Sequence, residues 1–484
     1  MLSTLQEPMT LLKPQRPTAS ARWPRALPLL CLLALAGCAS TLPLQQGMPA
    51  VAVPPAWSTV LSSPDRVGAD DLAQWWQRFE DPLLSTLVTQ ALQANISVRN
   101  AQAALQQARA LRDVRAANLL PSLSASGSVQ RGKSGDADTR NNFRAGLDAS
   151  WEPDIFGRNR SNLSATEADA QASETSLGDV QVSIAAEVAL AYIQLRGQQA
   201  QLQIAKSNLA SQQETLQITD WRVQAGLITS LELEQARTAT AQTSAQLPSL
   251  QASISRTQHS LAVLTGQAPE ALLMQLSDPQ AVPQPAQALA LNIPAQTLRQ
   301  RPDVRTAEYR ISAALARLSA ADAARYPSFS IGGSLGLNAL TLSGLTSGAS
   351  VASALLGSLS VPLLDGGAAR AQVRAQEAAL EQARVAYEGV VLAALKDVED
   401  ALVTLQGDRS RLVNLQNAAI AASNAALLAQ QRYASGLIDF QTVLQTQRTQ
   451  LTAQDNVAST QADISADHVR LYKALGGGWS SQPL

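Results

Sequence analysis

The chain has 484 residues, of which 46% are hydrophobic but only 4% aromatic and 15% charged, with a formal net charge of −1 at neutral pH. This composition excludes a large aromatic-filled core and a basic nucleic-acid surface, and its recurrent apolar residues exclude a disordered chain. Abundant Ala, Gln, Leu and Arg instead suit long helices packed closely, because small side chains let helix axes approach and straight ones keep helix propensity high.

At the N-terminus Lys13, Arg16, Arg22 and Arg25 precede an apolar run from Ala26 to Ala36. This is the pattern of a secretory signal, and the run is too short to span a membrane. It ends in Leu35-Ala36-Gly37-Cys38, which resembles a bacterial lipoprotein box, in which the cysteine is acylated and becomes the first mature residue. The alternative is an ordinary signal peptide cut elsewhere, with Cys38 left as a free thiol. Ala39 and Ser40 follow. Neither is the aspartate that favours inner-membrane retention in such lipoproteins, so the expected address is the outer membrane, with the chain lipid-anchored and extending into the periplasm. Cys31 leaves with signal residues 1–37, so no disulfide can form within the mature chain. Residues 38–71 are expected to be an acylated, extended segment.

Two copies of one plan follow, over residues 72–275 and 294–476, joined by a linker at 276–293 and ending in a tail at 477–484. Val98 and Val304, Arg99 and Arg305, Ala101 and Ala307, and Pro121 and Pro327 are each 206 residues apart. Gly226 and Gly436, Leu227 and Leu437, Ile228 and Ile438, and Gly266 and Gly476 are each 210 apart. A duplication explains this spacing. Each copy reads helix, strand, loop, strand, very long helix, turn, long helix. The strands fall at about 121–131 and 141–152, then about 327–338 and 350–362. The long hairpins fall at about 157–265 and 366–475.

No proline occurs between Pro153 and Pro248 or between Pro362 and Pro483, so each copy can hold an extreme helix. The first could run from Arg158 to Gln224, a rod of roughly 100 Å. Gly226 and Gly436 suit the left-handed position that ends a helix. Thr229 with Glu232 forms a capping-box pattern, and Asp439 offers an N-cap for the last helix. The tips of two antiparallel hairpins are therefore Gly226-Leu227-Ile228-Thr229 and Gly436-Leu437-Ile438-Asp439. Pro248 is expected to kink the first returning helix or break it into two stacked pieces.

The strands alternate with a period of two. Leu123, Ala125 and Val129 share one face, opposite Ser122, Ser124, Ser126 and Ser128. Phe143, Ala145, Leu147, Ala149 and Trp151 oppose Arg144, Gly146, Asp148 and Ser150. Phe329, Ile331, Leu335 and Leu337 oppose Ser328, Ser330 and Ser334, while residues 351–362 are the least regular. Strands of about ten residues with one polar and one apolar face describe a soluble two-sided sheet or a transmembrane barrel. Four strands cannot close a barrel, and open edges cannot stand in lipid, so the barrel reading requires several copies of the chain. Trp151 would then sit at the interfacial aromatic girdle.

The sequence offers little for catalysis. His259 and His468 are the only histidines and have no metal-spaced ligand set, and the glycine runs lack the Lys-Ser/Thr of a phosphate loop. Glu152 and Asp154 flank a proline at a strand-to-helix corner, where capping accounts for them. No catalytic residue, cofactor or metal is assigned.

Five stretches in order resemble the TolC-like outer membrane factors, specifically the acylated NodT-type efflux lipoproteins of resistance-nodulation-division systems. They begin at Trp75 (WWQRFEDPLLSTLVTQALQANISV), Trp151 (WEPDIFGRNR), Arg301 (RPDVRTAE), Val361 (VPLLDGGAAR) and Arg432 (RYASGLIDFQTVLQTQR). The resemblance implies a mainly α fold with a β-barrel part. A homotrimer would contribute four strands per chain to a twelve-stranded outer-membrane β-barrel and four helices per chain to a long α-helical barrel, the periplasmic tunnel. It also implies that residues 226–229 and 436–439 meet a periplasmic membrane-fusion adaptor, which links the channel to an inner-membrane resistance-nodulation-division pump. Asp439 matches the family's acidic gate position, and its capping role stands beside that reading. The implied function is a passive conduit for small molecules or drugs, set in the lipid bilayer and without nucleic acid. The alternatives are the outer component of a type I protein secretion system and a non-porous, lipid-anchored helical scaffold or adaptor.

Overall fold

Alanine-rich sequence free of proline continues as α-helix until a glycine in the left-handed conformation ends it, and both copies of the chain do this in the computed structural model, running through interior glycines to stop just before Gly226 and Gly436. The structure describes residues 49, 51–58, 72–133, 135–136, 138–285 and 298–479. The proposed signal peptide and Cys38 lie outside them. The elements are α1 (Pro82–Ala94), α2 (Ile96–Ala117), β1 (Ser122–Gly132), β2 (Arg140–Trp151), α3 (Arg158–Gln224) and α4 (Ser230–Leu264), then α5 (Pro302–Ala323), β3 (Ser328–Ala339), β4 (Val351–Ser360), α6 (Ala368–Ala434) and α7 (Phe440–Ala474). Helices α3 and α6 each have 67 residues, and α4 and α7 each have 35. Their bounds repeat at the 210-residue offset seen in the sequence.

All four strands form one antiparallel sheet in the order β1-β2-β3-β4, so the two copies meet through β2 and β3. The helices beneath keep the same order. In the half next to the sheet α3 packs against α2 and α5, and α5 against α6; in the far half α3 packs against α4 and α7, and α7 against α6. Four helical columns therefore support four strands.

Two of these columns are spliced from separate helices. Asn95 caps α2 through its Oδ1, while its Nδ2 donates to the Leu264 carbonyl at the end of α4, at 2.8 Å. In the second copy Arg301, the N-cap residue of α5, donates from Nη1 to the Ala474 carbonyl at the end of α7, also at 2.8 Å. Each side chain thus satisfies a carbonyl that the end of a helix leaves without a partner. Arg301 also pairs with Asp303 at 2.7 Å and Asp397 at 3.2 Å. Gly266 and Gly476 turn the chain at these joints with φ of 74° and 75°.

The core lies beside the splices. Trp75 stacks on Tyr472 with centroids 5.2 Å apart, and Phe79, Leu84, Leu87, Tyr192, Ile193 and Leu261 pack around them. Along α3 the buried positions are often Ala, including Ala165, Ala168, Ala172, Ala185, Ala186 and Ala189, which lets neighbouring helices approach. Trp57 joins the same core, and Ser58 donates from its backbone to Glu399 at 2.8 Å, so the described part of the N-terminal segment runs against α6.

One expectation is narrowed and another needs correction. Pro248 does not break its helix, because α4 is continuous from Ser230 to Leu264. Pro248 and Ser244 are both exposed, so water reaches the carbonyl that lost its backbone donor. The Thr229 hydroxyl does not cap α4 either. It donates instead to the Glu232 carboxylate, a stronger acceptor, and this bond leads the causes that hold the Glu232 carboxyl below its usual range.

Candidate functional site

The first candidate surface is the sheet. Its registers place Ser122, Ser124, Ser126 and Ser128 on one face with Asp148, Ser150, Ser328, Ser330, Ser334, Ser358 and Ser360. The face is cross-linked by its own hydroxyls. Ser126 donates to Asp148 Oδ2 at 3.0 Å, and the Ser330 and Ser358 hydroxyls lie 2.6 Å apart. The opposite face carries Leu123, Val129, Leu147, Leu335, Leu337, Leu355 and Leu359. None of the described residues covers this apolar face, where Leu123 is 70% exposed and Leu355 84%. Beyond the expected alternation, β4 puts Leu356 on the serine face opposite Gly332. Among the described residues, strands β1 and β4 each pair on one side only. Trp151, at the end of β2, is 38% exposed and donates to the Leu119 carbonyl at 3.1 Å.

An apolar face this large is rare on a protein surrounded by water. Coupled to a serine face and open edges, it can serve as part of a wall between lipid and water once both edges are paired. At the corner after β2, Asp154 caps the start of α3 as the sequence implied, whereas Glu152 pairs with the Arg158 side chain at 3.3 Å instead. Asp154 accepts from the Asn159 and Arg160 backbone N–H groups at 3.1 and 2.7 Å. Asp365 does the same for Gly367 and Ala369, and these bonds hold its carboxyl low.

The second candidate surface is the pair of hairpin tips, and the structure brings both together. Helices α3 and α6 end in matched Schellman turns. The Leu227 N–H bonds the Arg222 carbonyl and the Gly226 N–H that of Val223; Leu437 and Gly436 repeat the pattern on Arg432 and Tyr433. Gly226 and Gly436 adopt φ of 70° and 76°. Leu227 and Leu437 project from the turns, 69% and 74% exposed. Ile438 packs on the cluster of Tyr433, Phe440, Val443 and Leu444, whereas Ile228 is half-buried and Thr229 exposed. Asp439 is exposed and accepts from the Thr442 backbone N–H at 2.8 Å and the Thr442 hydroxyl at 2.7 Å. The hydroxyl and then the backbone bond hold its carboxyl below the ordinary range, so it is charged at neutral pH.

Sequence reasoning missed the clasp between the tips. Arg222, on the first hairpin, donates to the Tyr433 carbonyl on the second, and its guanidinium lies 4.7 Å from the centre of the Tyr433 ring. The Tyr433 hydroxyl is 3.2 Å from that of Thr219. Where α3 runs on against α7, Gln447 donates to Thr215 at 3.1 Å and Asn208 to Gln454 at 2.9 Å. Arg222 is half-exposed, so Arg222→Ala should weaken the clasp by only about 1 kcal/mol. Amide exchange at residues 433–437 should then quicken about fivefold; unchanged exchange would mean that Arg222 holds nothing.

Both histidines sit in helices without metal partners, and the described residues contain no group of three or more His, Cys, Asp or Glu placed to hold a metal. His468 is buried beside Arg409, 3.1 Å from its Nε2; burial first, then Arg409, lowers its pKa to about 4.

The family model of the outer membrane efflux proteins matches residues 87–267 and 293–477. The pyoverdine export outer membrane protein OpmQ of Pseudomonas putida is 33% identical over 95% of this chain and 98% of its own length. The toluene efflux pump outer membrane protein TtgI of Pseudomonas putida is 31% identical over 94% and 98%. The solved structure of the outer-membrane channel OprN superposes with a TM-score of 0.81 at 35% identity, covering 89% of this chain and 99% of that one. Sheet, paired long hairpins and sequence thus agree: the chain belongs to the outer membrane efflux protein family.

Proposed function

We propose that three copies of this chain assemble into the outer-membrane channel of a tripartite efflux system and conduct small molecules passively from the periplasm to the exterior. The observation that carries this reading is the sheet, whose serine and apolar faces are both exposed and whose two edges are open. Three such sheets give a twelve-stranded barrel with serines toward water and leucines toward lipid. Helix α6 supports the shared assembly. It leaves Val385, Leu392, Val403, Val413, Ile420 and Leu427 exposed at intervals of seven, ten and eleven residues, a stripe suited to a neighbouring helix.

Cys38 carries the lipid in this reading, and the inner-membrane pump supplies the energy. Residues 226–229 and 436–439 form the periplasmic mouth, where the adaptor docks. Relatives named for pyoverdine export and toluene efflux favour small molecules over secreted proteins as cargo. Asp439 caps α7 and, in a trimer, places three carboxylates around the mouth. Purified protein should form pores in a planar bilayer, and Asp439→Ala should raise their conductance. Unchanged conductance would leave Asp439 as a cap alone, and the absence of pores would overturn the channel reading.

A further inference from the structure

The strand registers fix the charge of the sheet's polar face. Among the described strand residues the ionisable side chains are Arg131, Arg140, Arg144 and Asp148. Arg140, Arg144 and Asp148 share the face of the serines, whereas Arg131, paired with Asn141, lies on the other. Strands β3 and β4 add no charge. The Asp148 carboxylate accepts from Ser126, while Arg144 is exposed and has no hydrogen-bond or ion-pair partner among the described residues, with Ser128 and Asn338 as its cross-strand neighbours.

Asp148 lies four residues nearer the helices than Arg144, roughly 14 Å along the strand. The Debye length at physiological salt is about 8 Å, so the carboxylate does not cancel the guanidinium. An ion moving along this face meets the carboxylate and then two successive positive positions before the loop that joins β1 and β2.

We propose that Arg144, with Arg140 beyond it, sets the charge selectivity of the outer segment of the pore and favours anionic solutes there. This inference rests on the reading in which the serine face of a shared barrel lines the lumen. Unpaired guanidinium groups repeated around a pore attract anions and repel cations without binding either tightly. Strands β3 and β4 add only neutral side chains to this face, so the Arg140 and Arg144 rings carry all of its positive charge.

The test is the chloride-to-potassium permeability ratio of the purified channel in a planar bilayer under a KCl gradient. It is measured in an Asp439→Ala background, so that carboxylates at the far mouth, roughly 100 Å away, do not set the ratio. Arg144→Gln should lower the ratio about threefold and Arg144→Glu further, with Arg144→Lys close to the parent. Asp148→Asn should move it in the opposite direction. Open pores whose ratio is the same with Gln, Glu and Arg at position 144 would overturn this proposal while leaving the channel intact. Absence of pores from the parent would overturn the shared-barrel reading and this inference with it.

Discussion

Replacing Arg196 by methionine is expected to destabilise the folded chain by about 3–5 kcal/mol, because it removes a buried cation that four groups were built around. Arg196 is 1% exposed on α3. Its Nη1 donates to the Asp278 carbonyl at 2.7 Å and to Gln199 at 2.8 Å, and its Nη2 to the Tyr192 hydroxyl at 3.0 Å and Gln280 at 3.3 Å. The guanidinium also lies 4.8 Å from the centre of the Tyr192 ring. Tyr192 in turn donates to Asp81 at 2.8 Å, and burial leads the causes that raise its pKa to about 12. The side chain therefore fastens the start of the segment between the two copies to α3 and, through Tyr192, to the cap of α1. Methionine fills much of the volume but leaves the Asp278 carbonyl and the Tyr192 hydroxyl without their partner. Arg196→Lys keeps the charge and loses the planar fork, so it should recover only part of the loss. Thermal unfolding of the detergent-solubilised protein checks this. Equal melting temperatures for wild type and Arg196→Met would show that the segment is held by other contacts.

The second large effect contrasts two glycines with nearly the same backbone. Gly266 and Gly226 both have positive φ, 74° and 70°, and both end a long helix. A Cβ at Gly226 meets nothing within 4 Å, whereas one at Gly266 would lie 2.6 Å from the Ala94 carbonyl oxygen. Gly226→Ala should therefore cost only the strain of a left-handed L-residue, about 1 kcal/mol. Gly266→Ala adds an overlap with backbone at the joint between α4 and α2, where neither side can swing away, and should cost about 3 kcal/mol or more. Unfolding midpoints of the two variants measure the difference. Equal losses would mean that the splice between the helices yields easily and does not fix the length of the column.

Much of the fold was legible because its determinants are local. The proline-free run after Pro153 and the glycine turn at Gly226 marked α3 as Arg158–Gln224, and the structure gives the same bounds. Period-two serines fixed which face of the sheet is polar, and Asp439 read as a cap because its partner, Thr442, is three residues away. What stayed hidden depends on which distant residues meet. The pairing of β2 with β3 joins the two copies, and no pattern within either strand names its partner. The Arg222–Tyr433 clasp and the Arg196 network connect positions 211 and 82 residues apart. Their signals were present only as an arginine ahead of a glycine turn and an arginine on a buried helix face. Pro248 left kink and break both open because a proline rule applied to the chain alone omits the solvent that satisfies the freed carbonyl, and the helix runs on unbroken.

The central claim is that one chain holds only a third of a barrel. The mass of the detergent-extracted protein, measured by light scattering and corrected for bound detergent, tests it most directly. A particle of three chains is the predicted result. A monomer that stays soluble without detergent once Cys38 is replaced would contradict it, because the sheet would then stand in water with its apolar face and both edges open.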